Sequence, residues 1–317
     1  MQETGNNILK RDGLQDGKPA GNSGNMPTDT PTGATGQANG TSADTKTGDT
    51  GTGSILRRPR LTIRIGKHSL SFSALNTDNS NSITYEPYTV RSGISTAANL
   101  REAFREIDLL RNGWQRAMVL IDSPVLMIPI EEFNEAHKET LYRHAITGHE
   151  GETVMSVVLP SLNAVAVYSI NKDLKLVIDD HFGDVRFTHV CAPVWNHLYR
   201  RSFTGVRMKL YAYFHDKKID VFSFQQNRFR FTNSFDTNLA PDAVYFILNV
   251  WKQLAFDNKR DELHLVGELP DRDTLTQELK SFVQNVYVIN PKAEFNRAPI
   301  TEIKNLPYDL LTHFMGN

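Results

Sequence analysis

The sequence has one cysteine and no long run of apolar residues. Because Cys191 is the single cysteine among 317 residues, the chain can form neither an intramolecular disulfide nor a cysteine-rich metal site. No apolar stretch approaches the roughly 20 residues that a membrane-spanning helix needs, and the first ten residues lack the basic-then-apolar pattern of a secretion signal. The sequence therefore predicts a cytoplasmic protein without a membrane anchor.

A surplus of charge of either sign is also absent. The chain has 35 Lys and Arg against 36 Asp and Glu, which gives a formal net charge of -1 and a pI of about 6.8. Binding to a phosphate backbone depends on clustered positive charge, so this composition speaks against a dedicated nucleic-acid binder. With 39% hydrophobic and 22% charged residues, the chain fits a globular protein of one or two domains.

Aromatic residues are missing from the first 54 positions, which hold 11 of the 20 glycines. Such a segment cannot bury enough apolar surface to offset its ordering entropy, so residues 1–54 are predicted to form a disordered tail. The tail contains an Asp-Thr-Gly-Thr-Gly motif at 49–53, which resembles phosphate-binding turns and the active-site turn of aspartic proteases. We interpret it as coincidental, because it follows low-complexity sequence instead of a strand.

The remaining residues show the same order of strands and helices twice. Three strands open each half, and helices alternate with strands after them. We predict a first domain over 55–203 and a second domain, with a C-terminal extension, over 204–317. This order favours an α/β fold of two ribonuclease H-like domains over a doubly wound Rossmann sheet, which lacks the three-stranded openings. The predicted elements include helices at 96–111, 132–146, 172–182, 193–201, 241–256 and 271–283, and a buried strand at 185–191.

Three short motifs carry a resemblance to a known family. They are Leu-Thr-Ile-Arg-Ile-Gly at 61–66, Ser-Pro-Val-Leu-Met-Ile-Pro at 123–129 and Leu-Val-Gly at 265–267. With the duplicated order, they are similar to an uncharacterised bacterial family of the Bacteroidetes type. That family lies in the actin-like ATPase superfamily of sugar kinases, heat-shock chaperones and actin. The resemblance spans about residues 58–292 and implies a nucleotide between the halves, held by one turn from each half and by a third turn near the adenosine.

By position, these three turns are depleted of the groups that a nucleotide needs. Active members have a first-strand Asp that holds the metal or its waters, whereas this strand has Arg64 and no acid. The resemblance therefore implies a degenerate site with no catalytic residue or metal ligand, and ATP with magnesium is not favoured. The missing carboxylate also speaks against nuclease chemistry, which needs clustered acids. The positional site residues are Gly66, Lys67 and His68; His215, Asp216, Lys217 and Lys218; and Gly267 with Glu268, whose charge would repel a nucleotide.

Three functions remain open at this point. The leading one is a non-catalytic scaffold that binds another protein or a ligand. The first alternative is an ATPase or phosphotransferase that uses Lys67, Asp216 and Lys218 for phosphate and metal. The second is an RNA-associated protein, motivated by Arg-Phe-Arg-Phe at 228–231, where strand alternation sends both Arg to one face and both Phe to the other.

Three polar clusters raise the question of metal binding or nucleophilic catalysis, and we favour a structural role for each. In Asp179-Asp180-His181 with Asp184, adjacent helix positions point in different directions. His144 and His149 with Glu150 and Glu152 lie beside two glycines, and this cluster is predicted to lie in a loop. Cys191 with His189 and His197 is an isolated cysteine, which is usually a small core residue.

Overall fold

Two five-stranded sheets of the same topology organise the computed structural model, which describes residues 60–76, 82–203, 206–225 and 228–316. The described residues belong to one compact unit. The predicted tail and the motif at 49–53 lie outside them. None of the helices within these ranges is both long and apolar enough to cross a membrane.

The described residues contain two runs of three strands, β1 to β3 and β9 to β11, and each run is followed by a mixture of helices and strands. The strands are β1 (Leu61–Ile65), β2 (Leu70–Leu75), β3 (Ile83–Tyr88), β4 (Arg116–Ile121), β5 (Val125–Pro129), β6 (Thr153–Leu159), β7 (Ala164–Ile170), β8 (Asp184–His189), β9 (Lys209–His215), β10 (Lys218–Gln225), β11 (Arg228–Asp236), β12 (Glu262–Gly267) and β13 (Asn285–Val288). The α-helices are α1 (Thr96–Glu106), α2 (Lys138–Ala145), α3 (Lys172–His181), α4 (Ala192–Ser202), α5 (Ala240–Gln253), α6 (Arg272–Phe282), α7 (Pro291–Glu294) and α8 (Tyr308–Met315).

The two large sheets define two lobes. The first-lobe sheet has the order β3-β2-β1-β4-β8, and the second-lobe sheet has the order β11-β10-β9-β12-β13. In each, an antiparallel three-stranded meander continues into two parallel strands. A third sheet, β5-β7-β6, belongs to the first lobe and is formed by the part of the chain that follows β4 and precedes α3. The connections β1–β2 and β9–β10 therefore occupy equivalent positions in the two lobes.

Each lobe has its own apolar core, and a third core joins the lobes. Leu61, Ile63 and Leu100 lie in the first-lobe core, and α5 and α6 cover one face of the second-lobe sheet. The third core brings Trp195 of α4 together with aromatic residues of β9 and β10 and with Leu310 of α8. Since α4 packs on α8, the C-terminal helix is fixed against both lobes.

Two predicted helices are interrupted in the structure. The helix predicted at 96–111 ends at Glu106 because Ile107 is extended, and a 3₁₀ turn follows over Asp108–Arg111. The helix predicted at 132–146 starts only at Lys138, because Asn134 is extended and its side chain caps a separate 3₁₀ turn. Short polar side chains compete with helical hydrogen bonds in this way.

The predicted buried strand at 185–191 is wrong in its burial and its end. β8 is an edge strand whose residues are exposed or half-buried as far as Thr188, and it ends at the buried His189. Cys191 instead precedes α4 as its N-cap residue. An edge strand has one neighbour and less cover, so its apolar pattern does not report full burial.

Candidate functional site

The three turns identified from the sequence lie together between the lobes. Gly66 follows β1, and a Cβ atom there would be 2.3 Å from Oδ2 of Asp216 in the β9–β10 turn. Asp216 has a left-handed backbone with φ of 45°. In the third turn, the amide of Glu268 donates to the carbonyl of Phe214 at 3.0 Å. The first two turns are therefore in direct contact, and the third runs beside the end of β9.

Arg64 connects the first lobe to the second lobe and to α8. Its Nη2 lies 2.8 Å from Oδ2 of Asp216, and its Nε donates to both carboxylate oxygens of Asp309 at 2.9 Å. The Arg64 side chain is only 3% exposed and that of Asp309 is fully buried. Burial lowers the pKa of Arg64, but the charges of Asp309 and Asp216 outweigh it and raise this pKa above its usual value. Arg64 is thus a permanent buried cation.

A second set of buried ion pairs continues from the β9–β10 turn. Lys218 Nζ lies 2.5 Å from Oδ1 of Asp122, which follows β4 in the first lobe. Nε2 of His215 lies 2.5 Å from Oδ2 of Asp220. Burial lowers the pKa of His215, yet its hydrogen bonds to Asp216 and Asp220 prevail and raise the pKa to about 9. His215 is therefore a cation at neutral pH.

We call these seven side chains the ion network. It contains three cationic and four acidic groups, and it crosses between the lobes at Arg64–Asp216 and at Lys218–Asp122. Removing one partner from a buried pair leaves an uncompensated charge and costs about 3–5 kcal/mol. The network therefore fixes the distance between the lobes at the turns. Its members are Arg64, Asp122, His215, Asp216, Lys218, Asp220 and Asp309.

The network does not fit a magnesium-bound nucleotide placed as the resemblance implies. The first-strand carboxylate position holds the guanidinium of Arg64, and the Gly66 and Asp216 turns touch where phosphates would have to enter. Burial and the charge of Asp216 also raise the pKa of Glu268, so negative charge is already disfavoured near the third turn.

Two groups of possible metal ligands overlap with the network among the described residues. Asp122, His215 and Asp216 form one, and Cys191, His215 and Asp220 form the other, each with ligand atoms within 4.8 Å of one another. A metal needs a neutral imidazole, whereas His215 is protonated and its ring nitrogens face carboxylates. A metal ion at either group would therefore have to displace a proton from His215 and break its contacts with the carboxylates.

An open cleft of about 1220 Å³ lies beside the network, between the lobes. The first lobe lines it with the β1–β2 turn and the N-terminal turns of α1 and α3, and the second lobe with the end of β11 and one face of α5. Its lining contains two lysines and four acidic residues, so acidic groups prevail. These charged residues are Lys67, Lys218, Asp122, Glu152, Asp173 and Asp236.

The positional site residues have three different environments. Gly66, His215, Asp216 and Lys218 lie in or against the ion network, and Lys67 lies at the cleft, 2.8 Å from Asp236. His68 and Lys217 are exposed at the turn tips, Gly267 is the last residue of β12, and Glu268 follows it. The sequence interpretation missed Asp122, Asp220 and Asp309. Asp122 had one usable signal, since it directly follows a parallel strand, where sites in α/β folds gather.

The three other polar clusters divide among separate contacts. Asp179 pairs with Lys175, and Asp184 pairs with Arg60 at 2.6 Å. His144 lies in α2, within the helix predicted at 132–146, while His149 follows this helix. Nδ1 of His189 accepts a hydrogen bond from the Cys191 amide, while the Cys191 thiol lies 3.3 Å from Asp220. None of these groups forms a nucleophile–base pair.

The predicted alternation at 228–231 is wrong because β11 has a bulge. Phe229 lies opposite Phe224, but Phe231 lies opposite Ser223, so Arg230 is an additional residue in the ladder. Phe229 then packs in the inter-lobe core and Phe231 in the second-lobe core. An extra residue reverses the side-chain alternation beyond it, and the strand presents no common aromatic face.

Comparisons with known proteins agree with this architecture. The family described as "Protein of unknown function (DUF3822)" matches residues 53–286. One similar crystal structure is that of a Bacteroides thetaiotaomicron protein with an actin-like ATPase fold and unknown function. Its sequence is 32% identical and its TM-score is 0.71, and the match covers 81% of this chain and 96% of that chain. A chain of the PilM-PilN type IV pilus biogenesis complex is 12% identical with a TM-score of 0.51, covering 81% and 97%. No curated protein matches. The predicted fold class and the predicted resemblance are confirmed.

Proposed function

We propose that this chain, which belongs to the family described as protein of unknown function (DUF3822), is a non-catalytic scaffold that binds another protein. Its fold is that of actin-like ATPases. The observation that carries the proposal is the salt bridge from Arg64 to Asp216. Arg64 puts a buried cation on the strand where active members of the superfamily have a metal-binding carboxylate. Its salt bridge with Asp216 joins the two turns between which phosphates would lie.

The alternative of an ATPase with unorthodox groups has less support. It needs Lys67, Asp216 and Lys218 to be free for phosphate or metal. In the structure these side chains pair with Asp236, Arg64 and Asp122 respectively. A polyphosphate would have to break buried pairs and enter a cleft in which acidic residues prevail. Each of these steps disfavours nucleotide binding.

Thermal unfolding of the full chain with and without millimolar Mg-ATP tests the non-catalytic part. A ligand that binds only the native state raises the unfolding midpoint. We expect no shift and no release of phosphate. A rise of the midpoint that disappears in Lys67→Ala, and persists in Lys304→Ala outside the cleft, would overturn the proposal.

Affinity capture from a native lysate tests the scaffold part. The immobilised full chain should retain the same protein in independent preparations, and soluble full chain should release it by competition. Failure to recover any reproducible partner would contradict the scaffold function. That result would leave the nucleotide experiment unaffected, because the two measurements are independent.

A further inference from the structure

The lining of the cleft beside the ion network has a net negative charge, as a binding site for a cation would have. Both lysines that line it are already paired, Lys67 with Asp236 at 2.8 Å and Lys218 with Asp122 at 2.5 Å. Asp173, in the first turn of α3, has no ion-pair partner among the described residues. Glu152 contacts His149 and Ser169, which are not permanent cations. The unbalanced charge of the cleft is therefore negative.

A buried carboxylate oxygen supplies a second and independent observation. The side chain of Asp122 is 2% exposed, and its Oδ1 binds Lys218. Its Oδ2 has no hydrogen-bond partner within the described part of the chain. Buried acceptors are nearly always satisfied, and an unmade hydrogen bond to a carboxylate is costly. Asp122 lines the cleft, and its Oδ2 lies buried beneath the cleft surface, so a donor that enters from the cleft reaches this oxygen only when the neighbouring side chains shift.

The size and rim of the cleft favour a protein segment over a small molecule. Its volume of about 1220 Å³ exceeds the roughly 300–1,000 Å³ of ordinary small-molecule sites. Tyr245 on α5 borders it with 64% of its surface exposed, next to Phe246. Exposed tyrosines are enriched in the centres of protein interfaces. Aromatic rings at the rim also suit the aliphatic stem of a long cationic side chain.

We propose that the cleft binds a lysine-containing segment of a partner protein, with one lysine ammonium group directed to Asp122 and the chain passing Asp173 and Tyr245. A flexible four-carbon stem carries the ammonium group below the rim, and its three donors match a site with one free oxygen. This inference rests on the proposed scaffold function and specifies where that scaffold binds.

Fluorescence anisotropy of the full chain with a fluorescein-labelled peptide of alternating lysine and glycine provides the test. The same peptide with acetylated lysines keeps the stems but removes the charges. We expect saturable binding of the first peptide, about tenfold weaker binding of the acetylated one, and weakening as salt rises. Equal binding of both peptides, or no binding of the lysine peptide, would overturn the inference.

Matched variants locate the binding. Asp122→Asn breaks the buried pair with Lys218 and puts folding at risk, so the test uses Asp173→Asn and Tyr245→Ala. Each should weaken binding about fivefold. The controls Asp108→Asn and Tyr287→Ala alter an exposed acid and an exposed tyrosine outside the cleft and should leave binding unchanged. Equal effects of variants and controls would show non-specific attraction and contradict the site.

Two further outcomes separate this inference from related ones. Spermine that binds as tightly as the peptide, with no effect of Tyr245→Ala, would assign the cleft to a small polyamine and overturn the protein partner. If the lysine peptide fails while Mg-ATP leaves the unfolding midpoint unchanged, the cleft assignment falls and the non-catalytic proposal stands. A midpoint raised by Mg-ATP through Lys67 would overturn the non-catalytic proposal instead.

Discussion

Arg64 in the first strand of one lobe and Asp216 in the first turn of the other form a buried salt bridge of 2.8 Å. Asp309 in the C-terminal helix completes the surroundings of the same guanidinium. One cation therefore joins three parts of the chain that are distant in sequence. The polar centre of the molecule acts as a structural joint between the lobes, and the open cleft lies beside it.

Replacing Arg64 should strongly destabilise the protein. In Arg64→Met the carboxylates of Asp216 and Asp309 lose their cation while they remain buried, so we expect the free energy of unfolding to fall by about 3–5 kcal/mol. Urea denaturation measures it. In Arg64→Met/Asp309→Asn the loss should be smaller than the sum of the two single losses. An Arg64→Met variant as stable as the exposed control Arg101→Met would show that the pairs contribute nothing.

A methyl group at Gly66 should separate the two turns. Its Cβ would lie 2.3 Å from Asp216 Oδ2 and 2.5 Å from Ser69 Oγ, so Gly66→Ala should lower the free energy of unfolding by about 1–3 kcal/mol. Gly151 has nothing within 4 Å of such an atom, and Gly151→Ala should be neutral or slightly stabilising. Thermal unfolding of the two variants compares them directly. Equal midpoints would mean that the turns have room between them.

The ion network should make stability fall in mildly alkaline solution. The pKa of His215 rises from 6.5 to about 9 in the folded state, so the stability that this group contributes is complete below pH 6.5 and is lost as pH rises through about 9. The loss amounts to up to about 3 kcal/mol. Urea denaturation between pH 6.5 and 9 should show it, and His215→Gln should flatten the curve. An unchanged slope in that variant would assign the pH dependence to other groups.

On the acidic side a second histidine has the opposite effect. Burial lowers the pKa of His189 to about 4, so its contribution is complete above pH 6.5 and is lost as pH falls through about 4. Asp216 and Asp220, whose pKa values the neighbouring cations hold low, add to this loss in acid. We expect the free energy of unfolding to be highest near pH 6.5. A maximum above pH 8 would contradict the assignment for His215, and stability that does not fall between pH 6.5 and 4 would contradict the assignment for His189.

The single cysteine should be unreactive in the native protein. Cys191 is fully buried, and burial together with the charge of Asp220 raises the pKa of its thiol. Thiolate is the reactive form, so a chromogenic disulfide reagent at pH 8 should modify the thiol only after urea is added. Rapid labelling without denaturant, at a rate near that of free cysteine, would mean that the region around Asp220 opens readily.

Much of the fold could be predicted because local pattern carries it. Alternation in β1 and the turn at Gly66 identify a hairpin, and the same order recurs from β9, so the duplicated architecture and the position of the turns follow from short-range signals. The absence of an acid in β1 is likewise visible in the residues themselves. Helix ends near Ile107 and Asn134 were less accessible, since a few competing hydrogen bonds decide them.

The sequence by itself determined the repeated order of strands and helices, the three turns, and the presence of Arg64 without any acid in β1. Only the tertiary structure decided what Arg64 does, because its partner Asp309 lies 245 positions away in a helix without any recognisable motif. The bulge at Arg230 and the pairing of Lys218 with Asp122 are of the same kind. Charge partners are chosen by the packing of distant elements, and a single sequence records the charges but not the distances between them.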